Sequence, residues 1–278
     1  MTKTKTYLKT KDFLVTKEHF LLEYDSEKDM LITQPIPTDI SKYYDSNNYI
    51  SHTDESKSLL EKVYQRIKKI TLSQKVKLIN NYSQERKTIL DIGCGTGEFL
   101  STAKTDNWNT IGVELSMQAR EIAIKKNLRI YKSLESITNQ KFNIITLWHV
   151  LEHLPNLDKQ INLIENLLEE NGTLIIAVPN YKSHDAQYYR QYWAAYDTPR
   201  HLWHFSKTSI TKIFKEHNLS VKKILPMYFD SYYVSLLSEK YKKGYSNYFM
   251  AFYRGFVSNI KAKQSGEYSS HIYILQKD

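Results

Sequence analysis

The stretch ILDIGCGTGEFL, residues 89–100, joins an apolar run to a glycine-rich loop and then to a helical pattern. Glycines at Gly93, Gly95 and Gly97 let the backbone turn tightly, and they let a ligand approach without a clash against a Cβ atom. The stretch therefore predicts a strand, a ligand-binding loop and a helix in immediate succession.

Two carboxylates beside this loop narrow the class of ligand. Glu114 ends the next apolar run, 23 residues after Asp91, where a carboxylate can accept hydrogen bonds from both hydroxyls of a ribose. Asp91 ends the first strand, where its charge would repel a pyrophosphate but attract a cationic amino group. The pair favours a nucleoside-type cofactor and disfavours NAD.

Apolar runs with strand character alternate with helical patterns along most of the chain. Strands separated by helices predict a parallel sheet with helices on both faces. Ser206 is placed to begin a helix and Asn171-Gly172 to end one. The expected strands are 88–93, 110–115, 128–132, 142–148, 173–179, 220–228 and 271–276. The expected helices begin at Thr53, span 97–106, 117–127, 157–169 and about 231–262, and include one after Ser206.

Composition bounds the remaining possibilities. The chain has 278 residues, so we expect one large domain at 51–278 and a small annex at 1–50. Its one cysteine, Cys94, excludes an internal disulfide and a cysteine zinc cluster, and this makes the cytosol the expected compartment. No apolar run approaches ~18 residues, so we expect neither a membrane span nor a signal peptide. The net charge of +9 permits contact with phosphates or an anionic membrane, but the scattered lysines identify no partner.

The GxGxG spacing with its leading acid resembles motif I of the class I S-adenosylmethionine-dependent methyltransferases. The likeness covers roughly residues 53–278 and includes WHVLEHLPN after the fourth strand and AVPN after the fifth. It implies a doubly wound, Rossmann-like α/β fold with a mostly parallel seven-stranded sheet, whose last strand is antiparallel. It also implies that the cofactor is S-adenosylmethionine, with the loop at the methionine portion, Glu114 on the ribose, and Leu115 with Ser133-Leu134 at the adenine. The residues expected at the cofactor are Asp91, Gly93, Cys94, Gly95, Gly97, Glu114, Leu115, Ser133, Leu134 and Trp148.

The N-terminal segment resembles the annex of a methyltransferase subgroup in which a zinc ribbon precedes a T-x-P-x-P element, here TQPIP at 33–37. Where that ribbon would place a cysteine pair, this chain has Asp25 and Lys28. Zinc needs soft thiolate or imidazole ligands, and lysine is not a substitute. We therefore expect a relic of the ribbon that holds no metal.

The sequence HVLEH at 149–153 formally matches H-x-x-E-H, a zinc-protease motif. It directly follows a core strand, which leaves no room for the long helix of such a protease. In methyltransferases this position faces the transferred methyl group, so His149, Glu152 and His153 are candidates for a base, substrate contacts or metal ligands. The plainer alternative is that His153 donates to backbone while Glu152 is solvated. We expect His149 and His201 to be the catalytic residues, mostly neutral at cytosolic pH, and we expect no metal.

An aromatic stretch at 179–205 interrupts the alternation of strands and helices. Aromatic runs at helical spacing often belong to a core, but so many amphipathic rings beside the fifth strand also suit a lid over an apolar pocket. The residues expected around a substrate are Tyr189, Trp193, Arg200 and Trp203.

These patterns together favour transfer of a methyl group to a small-molecule acceptor under the aromatic loop. A nucleic-acid methyltransferase is the nearest alternative, because the net charge of +9 and 22 tyrosines suit phosphate contacts and base stacking. Against one branch of that class, the fourth strand lacks the Asn/Asp-Pro-Pro-aromatic motif of enzymes that methylate exocyclic base amines. A non-catalytic protein that only binds the cofactor is the second alternative.

Overall fold

The computed structural model describes residues 4–44, 59–83 and 86–278. The strands of its main sheet are β4 (Thr88–Ile92), β5 (Asn109–Val113), β6 (Arg129–Tyr131), β7 (Phe142–Trp148), β8 (Leu168–Pro179), β10 (Leu219–Pro226) and β11 (Ser270–Lys277). The strands of a smaller sheet are β1 (Thr4–Lys11), β2 (His19–Asp25), β3 (Met30–Gln34) and β9 (Trp203–His204). The helices are α1 (Leu59–Asn80), α2 (Glu98–Thr105), α3 (Met117–Lys125), α4 (Leu157–Leu167), α5 (His184–Tyr189), α6 (Lys207–Lys215), α7 (Asp230–Lys243) and α8 (Tyr248–Ser265).

The main sheet has the order β10-β11-β8-β7-β4-β5-β6. Its strands β4 to β8 pair in parallel, and β11 pairs antiparallel with both β8 and β10. This confirms the doubly wound, Rossmann-like α/β sheet with an antiparallel last strand. Because the carboxyl ends of the parallel strands meet at one edge, the loops after β4, β5 and β7 lie side by side.

Alternate side chains of the central strands enter two separate cores. Leu90 and Ile145 pack with α4 and α6 on one face of the sheet, whereas Ile89 and Ile144 pack with α1 and α2 on the other. This alternation follows from the two-residue period of a strand. It explains why the strands read as continuous apolar runs.

Helix α4 ends earlier than the sequence predicted. The asparagine and glycine at 171–172 were expected to end it, but the last helical residue is Leu167. Leu168 already has extended dihedral angles, is fully buried and pairs with Phe142 across the sheet. Gly172 therefore lies within β8 rather than at a helix end, because burial of Leu168 against β7 outweighs the local turn signal.

The last helical region is also divided. Instead of one helix at 231–262, α7 ends at Gly244, which has a φ of 83°, and α8 begins after Asn247, whose side chain accepts from the Met250 amide at 3.0 Å. The expected N-terminal helix is confirmed from Leu59 onward. Its expected start at Thr53 and the domain boundary near residue 50 lie outside the described residues.

The small sheet combines three strands near the start of the sequence with a short strand from much later in it. Strands β1, β2 and β3 form an antiparallel meander, and β3 then pairs with β9, with Leu31 opposite His204 and Ile32 opposite Trp203. Leu22 and Leu31 share a third core with side chains of the aromatic stretch. A small N-terminal sheet is thus present, and it is completed by residues after β8. No helix among the described residues is long and apolar enough to cross a membrane.

Candidate active site

The glycine loop after β4 is open toward solvent at one position. Gly93, Gly95 and Gly97 all have positive φ, at 68°, 54° and 78°. A Cβ atom on Gly93 would lie 2.4 Å from Val150 Cγ2, so this glycine is required by packing as well as by its conformation. A Cβ on Gly95 would meet no atom within 4 Å, which leaves room for a ligand against the backbone there.

Glu114 connects the end of β5 to this loop. Its Oε2 accepts a hydrogen bond from the Gly95 amide at 2.9 Å, and its Oε1 accepts from the Ser116 amide at 2.8 Å. Two backbone donors fix the carboxylate at the rim of the loop, and each oxygen keeps acceptor capacity for a further donor. The structure thus places this predicted residue beside the glycines, as the strand order requires.

Asp91 lies beneath the loop and is 3% exposed. Burial raises the pKa of its carboxyl to about 7. The hydrogen bond that Oδ1 accepts from Thr146 at 2.6 Å and the nearby charge of Lys75 lower the pKa, but by less than burial raises it. A cationic group arriving at the loop would stabilise the ionised form of Asp91. The residue therefore suits the role expected from the sequence.

The other residues expected at the cofactor differ in how far they are accessible. Leu115 is 74% exposed, so its side chain is available to a planar ring. Leu134 and Cys94 are buried in the two cores, and Ser133 lies at the surface, where its hydroxyl contacts that of Ser136.

A cavity of about 140 Å³ opens at the same edge of the sheet, next to the ends of β7 and β10. Trp148, the last residue of β7, forms one wall, and Lys75 Nζ lies 4.2 Å from the centre of its ring. Burial lowers the pKa of Lys75 to about 8, although Asp91 and Asp230 act to raise it. Other lining residues are Leu78, Tyr228, Phe229 and Asp230.

Sequence reasoning missed Lys75 and Asp230. The signal for Lys75 was its place between Leu72, Val76 and Ile79 on the apolar side of α1, where a lysine is unusual. Asp230 begins α7 four residues after the end of β10, which ends at the same edge, but nothing in its local sequence points to β7.

His149 lies between two carboxylates. Its Nε2 is 3.0 Å from Asp230 Oδ2, and its Nδ1 is 3.5 Å from Glu152 Oε1. Burial alone would lower the pKa of this imidazole, but the two acids raise it to about 10. The expectation of a mostly neutral His149 at cytosolic pH therefore has to be corrected, because the imidazolium form is favoured.

His201 faces the protein interior rather than the cavity. It is 8% exposed, and its Nδ1 lies 2.8 Å from the carbonyl oxygen of Ala195. Burial, together with His153, holds the pKa of His201 well below its usual value. The alternative in which His153 contacts backbone agrees with its 3.1 Å distance from Arg200 O, but Glu152 is fully buried and not solvated.

The four residues expected around a substrate are not among those that line this cavity, and their polar atoms are hydrogen-bonded within the protein. Tyr189 donates to Glu239 Oε1 at 3.1 Å, and Trp193 donates to Asp185 Oδ2 at 2.8 Å. Trp203 donates to the carbonyl of Leu154 at 2.8 Å.

Arg200 is 1% exposed and lies 2.9 Å from Asp12 and 2.7 Å from Asp197. In this structure the aromatic stretch belongs to a packed core that joins the small sheet to the main domain.

Comparison with known proteins supplies the family. The methyltransferase domain family matches residues 48–224. The ubiquinone biosynthesis O-methyltransferase of Pelagibacter ubique is 34% identical over 159 residues, which are 51% of this chain and 65% of that protein. A tRNA (guanine-N(7)-)-methyltransferase of Mycoplasma capricolum is 36% identical over 76 residues, 26% of this chain and 34% of that protein. The chain thus spans less than two thirds of the length of the curated relatives it matches.

A solved structure shows the same fold. Magnesium protoporphyrin IX methyltransferase from Synechocystis, with bound SAH, superposes with a TM-score of 0.56 at 15% identity, over 85% of this chain and 97% of that one. The open position at Gly95 and the anchored carboxylate of Glu114 fit a nucleoside cofactor of this kind. The main sheet thus has the fold of that solved methyltransferase, and the chain belongs to the methyltransferase domain family.

Proposed function

We propose that this enzyme methylates a small-molecule acceptor bound in the cavity between the ends of β7 and β10. The observation that carries the proposal is the position of this cavity, which borders Trp148 on the strand next to the one that carries the glycine loop. Ligands of open α/β sheets collect at this edge. A volume of about 140 Å³ is close to that which holds one benzene molecule, so we expect an acceptor with a single ring, or the ring end of a longer compound.

We propose that the loop and its acids hold the cofactor as the sequence predicted. Glu114 would accept hydrogen bonds from the ribose hydroxyls, and Asp91 would lie near the methionine amino group. When bound, S-adenosylmethionine would supply the methyl group of its sulfonium, which the acceptor's nucleophilic atom takes in line while S-adenosylhomocysteine leaves. The protein has to align the acceptor, exclude water and remove a proton.

Lys75 is the residue that we infer accepts this proton. It lines the cavity, and its pKa of about 8 lets a useful fraction be neutral near physiological pH. His149 holds Asp230 at the cavity wall, whereas His201 has no contact with the cavity. Trp148 and Phe229 provide the apolar surface for an acceptor ring.

The test is a methylation screen with a matched pair of variants. Labelled S-adenosylmethionine is incubated with a panel of phenols, catechols and amines and, separately, with total tRNA, and products are identified by mass spectrometry. Phe229→Trp narrows the cavity, whereas Phe249→Trp changes a side chain that is 81% exposed on α8. We expect at least a tenfold rise in the KM of a small acceptor for Phe229→Trp and no change for Phe249→Trp.

Methylation of tRNA without any small-molecule product would contradict the proposal and support the nucleic-acid alternative. Binding of cofactor with no product from either class would support the non-catalytic alternative. Equal KM values for both variants would show that the acceptor binds elsewhere.

A further inference from the structure

Glu152, His153 and His201 form a compact group outside the cavity. One ligand atom from each lies within 4.8 Å of the other two. Glu152 and His153 belong to the 3-10 turn that follows β7, and His201 precedes β9. The Leu202 amide donates to Glu152 O at 2.8 Å, which holds the two segments together.

The two histidines have the same tautomer. His153 Nδ1 lies 3.1 Å from Arg200 O, and His201 Nδ1 lies 2.8 Å from Ala195 O. A carbonyl oxygen only accepts hydrogen bonds, so both Nδ1 atoms carry the hydrogen; the Tyr44 hydroxyl, 3.1 Å from His153 Nδ1, can accept from the same N–H. In the neutral form of each ring the lone pair is then on Nε2, and in the described part of the chain no hydrogen bond reaches either Nε2. Backbone carbonyls orient metal-binding histidines in this way.

The Glu152 carboxylate has no hydrogen bond among the described residues that would stabilise its charge in the interior. Its side chain is fully buried, and neither carboxylate oxygen has a hydrogen-bond partner among the described residues. His149 Nδ1 lies 3.5 Å from Glu152 Oε1, but this contact lacks hydrogen-bond geometry. A buried carboxylate that faces two imidazole lone pairs is unfavourable unless a cation lies among them.

We propose that Glu152, His153 and His201 bind one divalent transition-metal ion, with Zn²⁺ as the expected ion. Two neutral imidazoles and one carboxylate are a donor set for Zn²⁺, Co²⁺ or Fe²⁺, whereas Mg²⁺ and Ca²⁺ prefer oxygen ligands. Three protein ligands leave at least one coordination position for water or another oxygen ligand. The set differs from the motif-based one of His149, Glu152 and His153, because His149 turns to Asp230 and His201 takes its place.

None of the three metal-binding residues lines the cavity proposed for the methyl acceptor. The site is nevertheless connected to the cavity, since His149 contacts Glu152 on one side and the cavity-lining Asp230 on the other.

The test is a titration of untagged, chelator-treated protein with Co²⁺, followed by its visible absorption. We expect one equivalent of Co²⁺, displaced by Zn²⁺, and at least a tenfold weaker affinity in Glu152→Gln and in His201→Gln. His19→Gln is the matched control, because His19 is an exposed histidine at the start of β2.

Thermal unfolding provides a second readout that does not need activity. Zn²⁺ should raise the Tm of the wild-type protein and of His19→Gln, but not that of Glu152→Gln. Absence of a stoichiometric Co²⁺ spectrum, or the same affinity in Glu152→Gln as in wild type, would overturn the proposal.

Discussion

His149 Nε2 and Asp230 Oδ2 lie 3.0 Å apart, which joins the turn after β7 to the first residue of α7. Asp230 lines the cavity, and its negative charge raises the pKa of His149 and keeps the imidazole in its charged form. A histidine held in this way is a poor proton acceptor at neutral pH. We therefore propose Lys75, which lines the same cavity, as the general base in place of His149.

Methyl transfer should depend on the ionisation of Lys75. Because the neutral amine accepts the proton, kcat should rise with pH and level off above about pH 8, the pKa of this residue. Lys75→Met should lower kcat by about 10²-fold or more and remove the inflection. Lys77→Met, at an exposed position of the same helix, is the control and should keep the wild-type profile. An unchanged inflection in Lys75→Met would assign it to another group.

Glu114 should account for a large part of the affinity for S-adenosylhomocysteine. Loss of hydrogen bonds to a charged carboxylate costs about 1.5 to 3 kcal/mol, so Glu114→Ala should weaken binding roughly ten- to a hundredfold. Calorimetry measures this directly. Glu121→Ala, an exposed position on α3, should bind as the wild type does. The same affinity in both variants would place the ribose elsewhere.

Arg200 should be a stability residue rather than a substrate contact. Arg200→Met leaves Asp12 and Asp197 without their cation and should lower the free energy of unfolding by about 3 to 5 kcal/mol. The exposed pair of Lys42 and Glu18 offers the contrast, since Lys42→Met should leave the free energy of unfolding nearly unchanged. Denaturant unfolding compares the two variants. A raised KM with wild-type stability in Arg200→Met would restore its predicted role at the substrate.

The N-terminal segment should bind no zinc of its own. Asp25, at one of the positions of the expected cysteine pair, accepts hydrogen bonds through Oδ1 from the amides of Glu27 at 2.9 Å and Lys28 at 3.1 Å, and so shapes the turn between β2 and β3. Elemental analysis of Asp25→Ala should give the same zinc content as the wild-type protein. A loss of one equivalent in this variant, with none in Glu152→Gln, would locate a metal in the segment.

The sequence predicted the main sheet well because each strand carries its own apolar signal. The run at 142–148 has the predicted bounds, and Ser206 caps α6 through the Ser209 amide at 3.0 Å. The predicted end of α4 was wrong because packing outweighed the local turn signal. Leu168 already has extended dihedral angles, four residues before Gly172, which was expected to end the helix.

The site was harder to predict because its contacts join distant segments. Nothing near Asp230 in the sequence indicates that it meets His149, and the aromatic stretch gave no sign that its rings pack against Leu22 and Leu31. The position of Glu114 beside the glycine loop was predicted from the sequence, because the contact of Glu114 with Gly95 depends only on the order of the strands.

Because β3 pairs with β9, the small sheet can be completed only late in synthesis of the chain. Leu31 and Ile32 leave the ribosome early, but His204 and Trp203, which cover their edge, follow only after β4 to β8. At roughly 5 to 20 residues per second, the open edge waits on the order of ten seconds or more for its partner. An unpaired strand edge invites pairing with other chains, so the nascent meander is a natural target for a chaperone. The contacts of β3 with β9 therefore form only after the strands from β4 to β8 have been synthesised.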